Sequence, residues 1–136
     1  MERRRKLGYD MYALLEIKRD DTMGRLNFMK ENYRFFGAPV GLIITVDRFA
    51  DRNGWGHVGM FLQTLCLVAT EMGMATCLQE AWSLKHKAIT EHLDIPDSEI
   101  VWCGVALGYE DKSAKVNQLV SEREPVPKFA TFKGKL

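Results

Sequence analysis

The sequence predicts a layered domain of the α/β or α+β class, and three observations carry that prediction. Val40-Gly41-Leu42-Ile43-Ile44-Thr45-Val46 is a β-branched run of strand length, with the composition of a strand buried on both faces. Ile100-Val101-Trp102-Cys103-Gly104-Val105-Ala106-Leu107-Gly108-Tyr109 reads as a second buried strand, and the segments around both carry helical periodicity. From His57 to Met72, finally, only Gln63, Thr64, Thr70 and Glu71 interrupt an apolar run. A helix so apolar must be covered on most of its circumference.

Each element follows in order. Tyr9, Tyr12, Leu14, Leu15 and Ile17 outline a first amphipathic helix, stopped by Lys18-Arg19-Asp20-Asp21. Thr22 is the expected cap of a second, with Met23, Leu26, Met29, Lys30 and Tyr33 at helical steps. Phe35-Phe36-Gly37-Ala38-Pro39 ends it, because proline holds the residue before it extended. Residues 47–56 read as a polar, glycine-containing loop ahead of the apolar helix, and Gly73 is the natural C-terminal cap of that helix. A strand-like stretch, residues 75–78, opens Thr76-Cys77-Leu78-Gln79-Glu80-Ala81-Trp82. A helix over residues 83–93 follows, with Leu84, Ala88, Ile89 and Leu93 on one face. The tail, 110–136, is polar and irregular, with Phe129, Thr131 and Phe132 hinting at a short strand. No repeat or linker divides the chain, so residues 1–136 are expected to form a single domain.

Charge is nearly balanced, with 19 Lys and Arg against 18 Asp and Glu, and a net charge of +1 gives no reason to expect nucleic acid as a partner. The basic start Arg3-Arg4-Arg5-Lys6 reads as a solvated helix start rather than a nucleic-acid patch. No run reaches the about 18 apolar residues of a membrane span, and no signal-peptide core follows the basic start, so no membrane is expected and the cytoplasm is the expected compartment. Cys66, Cys77 and Cys103, odd in number and set in apolar context, read as reduced, buried thiols. With His57, His86 and His92 they do not complete a zinc site, so no metal is expected.

Nucleophilic catalysis finds no support, since no histidine is spaced to activate a cysteine. Glu80 with Asp94, Asp97 or Glu99 reads as helix-end and turn acids rather than a paired-carboxylate site. Glycines within the second strand mark places where a ligand or backbone approaches closely, a weak signal alone. Arg123, in Ser121-Glu122-Arg123-Glu124-Pro125, is a surface arginine by itself and a phosphate fork beside an anionic ligand. Two or three strands are also a small sheet for so apolar a helix. The surplus predicts that an oligomeric partner completes the core.

Several stretches occur together in a telling order: Asn32-Tyr33-Arg34-Phe35-Phe36-Gly37-Ala38-Pro39-Val40, Trp55-Gly56-His57-Val58-Gly59-Met60-Phe61-Leu62-Gln63, Thr76 to Trp82, Cys103 to Tyr109, and Arg123-Glu124-Pro125-Val126. Together they resemble the nitroreductase family of FMN-dependent oxidoreductases, nearest its nitrobenzene-reductase-like branch, from about Tyr12 to the C-terminus. The resemblance implies an α+β fold with a small central sheet flanked by helices, in a homodimer with flavin at the subunit interface. It implies an enzyme in which NADH or NADPH passes hydride to flavin N5, from which a small-molecule acceptor, a nitroaromatic or quinone, is reduced. The cofactor then carries the chemistry and no catalytic side chain is needed. Residue by residue, Leu78, Gln79 and Glu80 match the segment along the isoalloxazine, with a backbone N–H near Glu80 aimed at N5. Gly108 matches the glycine that lets backbone approach the cofactor, and Arg123 the arginine that grips the FMN phosphate.

The chain departs from the family in two places. Relatives begin with a further N-terminal portion carrying a basic Arg-Arg-Ser-type motif, and Arg3-Arg4-Arg5 does not match it by position. His57 stands where close relatives usually have aspartate. The chain thus reads as N-terminally truncated relative to the family. A second reading keeps the fold without the chemistry: a non-catalytic dimerisation module that binds flavin weakly or not at all.

Overall fold

The computed structural model describes residues 2–134. They divide into two compact units, a central one, Thr22–Glu110, and a terminal one drawn from Met1–Asp21 and Asp111–Leu136.

The central unit is built on a three-stranded antiparallel sheet of order β1-β3-β2, with β1 Val40–Asp47, β2 Ala75–Gln79 and β3 Glu99–Gly108. The middle position explains why β3 is the best-buried strand, whereas on β1 only Val46 is buried. The expectation of a first strand buried on both faces is therefore corrected: β1 is an edge strand, and its other residues are exposed or half-buried. In the register, Ile44 faces Cys103 and Thr45 faces Val101, which leaves Trp102 as the extra residue of a β-bulge. Beyond it Leu62, Cys103 and Val105 form the core, with Leu42, Ile44, Val58, Leu65 and Trp102 packed around them.

Leu62 comes from the apolar helix, here α3 (Arg52–Glu71). It starts inside the expected loop, because Asp51 caps it: the carboxylate accepts the N–H groups of Asn53 and Gly54, each at 2.9 Å. Gly54 and Gly56 obscure this start in the sequence, since each glycine weakens a helix by about 1 kcal/mol. Trp55 then meets Trp102 edge to face, 5.3 Å between ring centroids. Asp51→Ala is expected to lower stability by about 1 kcal/mol in urea unfolding, the usual worth of such a cap. Thr64 and Thr70 donate their hydroxyls to the carbonyls of Met60 and Cys66, so these polar residues satisfy themselves along the helix. Gly73, at φ +74°, ends it as expected. Its N–H reaches the Thr70 carbonyl and that of Met74 the Ala69 carbonyl, a Schellman closure.

The opposite face of the sheet is lined by small residues. Cross-strand partners share a face, which puts Gly41, Ala106 and Cys77 in one row and Ile43, Gly104 and Gln79 in the next. Aromatic rings fill this shallow floor. A Cβ on Gly41 would lie 2.3 Å from the Phe35 ring, and one on Gly104 2.2 Å from Trp82 Cδ1. Phe35 comes from the kinked 3-10 segment Glu31–Gly37, which follows α2 (Thr22–Lys30). Phe35 and Phe36 both have left-handed backbones, φ 52° and 51°. That conformation disfavours a non-glycine residue by about 1–2 kcal/mol, so it persists only where packing enforces it.

Two expected elements differ. The helix over 83–93 is a 3-10 turn, Glu80–Lys85, followed by the short α4, His86–His92. Ser83 Oγ donates to the Glu80 carbonyl at 2.7 Å and tightens the turn, and Leu84, meant for a buried face, is 73% exposed while Ile89 is buried. The hinted strand near Phe129 is absent among the described residues. Just before it the chain makes a 3-10 turn, Val126–Lys128, which Pro125 and Pro127 favour.

In the terminal unit α1 (Glu2–Leu14) runs through the exposed Arg3, Arg4 and Arg5, the solvated helix start expected of the basic cluster. It ends before the polar Lys18–Asp21 stretch: Glu16 is left-handed, and the Ile17 N–H returns to the Tyr12 carbonyl at 2.9 Å. Lys115 pairs with Glu16, and Arg3 with Glu124 at 2.8 Å.

Candidate functional site

Leu78, Gln79 and Glu80 sit where β2 runs out at the edge of the sheet and turns into the 3-10 segment. Their side chains behave differently. Leu78 is 52% exposed and the Glu80 side chain is also exposed, but Gln79 is only 2% exposed. Both ends of the Gln79 amide are used inside the protein. Nε2 donates to the Asn32 carbonyl at 3.1 Å, and Oε1 accepts from Trp82 Nε1 at 3.3 Å. What this junction offers outward is therefore Leu78 and Glu80, while the Gln79 amide is spent inside.

The indole of Trp82 lies on Gly104, stacks on Phe35 at 4.6 Å and takes the edge of Tyr33 at 5.4 Å. Tyr33 OH in turn donates to the Ala81 carbonyl at 3.2 Å. Residues on both sides of Glu80 are thus tied to the segment 32–35. Sequence reasoning missed this aromatic layer, although two glycines in apolar strands and a Phe-Phe pair signalled it.

Gly108 is buried on β3, and a Cβ there would lie 2.7 Å from Pro39 Cδ. Its bare backbone is thus met by proline, whatever else approaches it. Arg123 belongs to the terminal unit. It is exposed and donates through Nη1 to the carbonyl and hydroxyl of Ser121. The neighbouring Glu122 and Glu124 pair instead with Lys6, Arg3 and Lys128, so among the described residues Arg123 makes no ion pair. It lines a cleft of about 450 Å³ together with Arg3, Arg4 and Lys6 of α1.

Cys103 is buried, and burial pushes its thiol pKa up, with the Glu80 carboxylate adding to the shift. Cys66 is half-buried and Cys77 exposed, so the expectation of three buried thiols holds in full for Cys103 alone. Among the described residues no group of His, Cys, Asp or Glu gathers as a metal site, and no helix is long and apolar enough to cross a membrane.

The model of the nitroreductase family matches residues 4–109. The chain belongs to the nitroreductase family. A 4-nitrobenzoate reductase of Pseudomonas putida is 41% identical over 98% of this chain and 59% of its own length. A chloronitrobenzene nitroreductase of Comamonas testosteroni is 40% identical over 84% of this chain and 50% of its own. Among solved structures, the FMN- and NADPH-dependent nitroreductase NfnB from Sphigopyxis sp. strain HMH superposes with a TM-score of 0.93 and 35% identity, covering 98% of this chain and 60% of that one. The nitroreductase-like α+β fold, helices around a small antiparallel sheet, is thereby the fold of this chain. The chain spans about half to three fifths of the length of these relatives.

Proposed function

We propose that this nitroreductase-family chain serves an FMN-dependent oxidoreductase that draws on NADH or NADPH and reduces a nitroaromatic or quinone-like acceptor. The observation that carries the reading is the junction at Glu80: an exposed residue at a sheet edge, flanked by an exposed Leu78 and by a Gln79 whose side chain is turned inward. The nitrobenzoate and chloronitrobenzene reductases named above support the nitroaromatic acceptor.

The donor set of the central unit suits the ring of an FMN. The Leu78–Glu80 backbone supplies amide chemistry beside an apolar side chain, suited to the edge of a flat ring, and Gly108 of the same unit is assigned to the close approach of backbone to it. In the terminal unit Arg123, which makes no ion pair among the described residues, is assigned the role of a guanidinium fork for a phosphate. A bound FMN would supply the hydride chemistry that links NAD(P)H to the acceptor. The chain's part is to hold the ring and to aim the Glu80 N–H at N5, where a fixed donor favours the more electron-rich ring. The Glu80 carboxylate carries no step.

The reading includes a homodimer. Met60, Phe61, Leu67 and Val68 form an exposed apolar stripe on α3 at helical spacing, distinct from the buried Leu62 and Ala69. A second copy covering it is expected, and sedimentation at low micromolar concentration checks it. A reducing compartment, the cytoplasm, suits three free cysteines. The deciding experiment is a visible spectrum of the purified chain with and without FMN, followed by NADH and NADPH oxidation with a nitroaromatic and a quinone. Bound flavin and acceptor-dependent oxidation are expected. A chain that stays colourless after FMN is added supports the non-catalytic dimerisation module instead.

A further inference from the structure

We infer that Gln79, Trp82 and Tyr33 are positioning residues: together they clamp the turn so that the Glu80 amide is held at a fixed place and angle. The inference rests on the flavin reading above and concerns what makes that site stiff.

Two bonds reach the turn from the segment 32–33, and a third closes it from within. Gln79, just before Glu80, is held through Nε2 by Asn32, and Trp82, two residues after Glu80, is held through Nε1 by Gln79. Ala81 is held through its carbonyl by Tyr33. Glu80 is the step these bonds bracket, and its side chain is exposed. A buried glutamine is a costly way to fill space, because its amide must be satisfied at both ends, whereas an apolar side chain asks for nothing. It is well suited to fixing orientation, since both bonds form only at one rotation of the amide. The rings add stiffness. The indole cannot sink, because it already touches the Gly104 backbone, and Phe35 above it keeps a left-handed backbone that only firm packing maintains. A backbone donor gains its catalytic worth from being placed before the reaction begins, and these contacts place it.

Gln79→Met removes the amide's bonds at near-constant volume, and Trp82→Phe removes the indole N–H together with part of the ring. Tyr33→Phe removes one hydroxyl and is the variant least able to disturb folding. Ile89→Val, in the buried face of α4, serves as a packing control. Two quantities are read besides the melting temperature: amide hydrogen exchange at Ser83 and Leu84, inside the 3-10 turn, in the flavin-free chain, and the two-electron midpoint potential of bound FMN. The clamp variants are expected to speed exchange across the turn about tenfold through easier local opening. They are also expected to move the potential negative by roughly 30 mV, the equivalent of a tenfold weaker preference for the reduced ring. Tyr33→Phe moves both in the same direction by less, and Ile89→Val lowers the melting temperature while moving neither. Clamp variants that lose melting temperature with exchange and potential unchanged are ordinary packing residues, and that result overturns the inference alone. A wild-type chain that takes up no FMN overturns the flavin reading and this inference with it.

Discussion

Glu80→Pro is expected to leave the chain folded and to slow FMN-dependent turnover by roughly 100-fold, the usual loss when one fixed donor is deleted from a charge-stabilising site. Glu80→Gln is expected to change turnover little. The contrast is clean because of local geometry. Glu80 opens a 3-10 turn, the position in a helical segment where proline is best tolerated. Gln79 before it is extended, φ −129° and ψ 90°, as a residue preceding proline prefers. The substitution therefore deletes an N–H without breaking the turn, and circular dichroism with a turnover assay separates the two effects. Loss of activity in Glu80→Gln with the fold intact would assign the work to the carboxylate and overturn the backbone reading.

Gly104→Ala is expected to destabilise the fold by about 3 kcal/mol, at the upper end of overpacking effects. The added Cβ would stand 2.2 Å from Trp82 Cδ1, and the indole has no room to retreat under the stacked Phe35 ring. For a chain of this size that is a fall of roughly 10 °C in Tm. Gly59→Ala is the matched contrast. A Cβ there meets nothing within 4 Å, so within α3 the exchange is expected to raise stability by about 1 kcal/mol. Thermal unfolding of the two variants tests whether the glycine in β3 is there to seat a ring.

How much was legible in the sequence depended on whether a signal was local. β1 and β3 announced themselves because apolar, β-branched runs have few other uses, and Gly73 ended its helix for a reason internal to the helix. The start of α3 was hidden because Asp51 is an ordinary polar residue until its carboxylate is seen to accept two amides. Residues 83–93 read as one helix because Leu84, Ala88, Ile89 and Leu93 fall on one face, yet Ser83 tightens the backbone and Leu84 is exposed. Gln79 is the sharper lesson. From sequence it was a polar residue beside a cofactor edge, whereas its amide is committed to Asn32 and Trp82, partners 47 and 3 residues away in sequence. No periodicity encodes that. Arg123 was picked out from its proline-marked stretch, and the structure adds why its charge is available: each flanking glutamate is engaged by another cation.

The placement of the three tryptophans has a practical consequence. Trp82 belongs to the aromatic layer on one side of the sheet, while Trp55 and Trp102 form an edge-to-face pair between α3 and the bulge of β3. Two indoles held this close couple their electronic transitions and give a near-ultraviolet dichroism couplet that disappears once they separate. Trp82 reports through emission quenched or released by its neighbours. The two sides of the molecule therefore carry separate optical reporters in the natural sequence. Recording both signals through one denaturation ramp shows whether the α3 side and the aromatic layer come apart in a single step or one before the other.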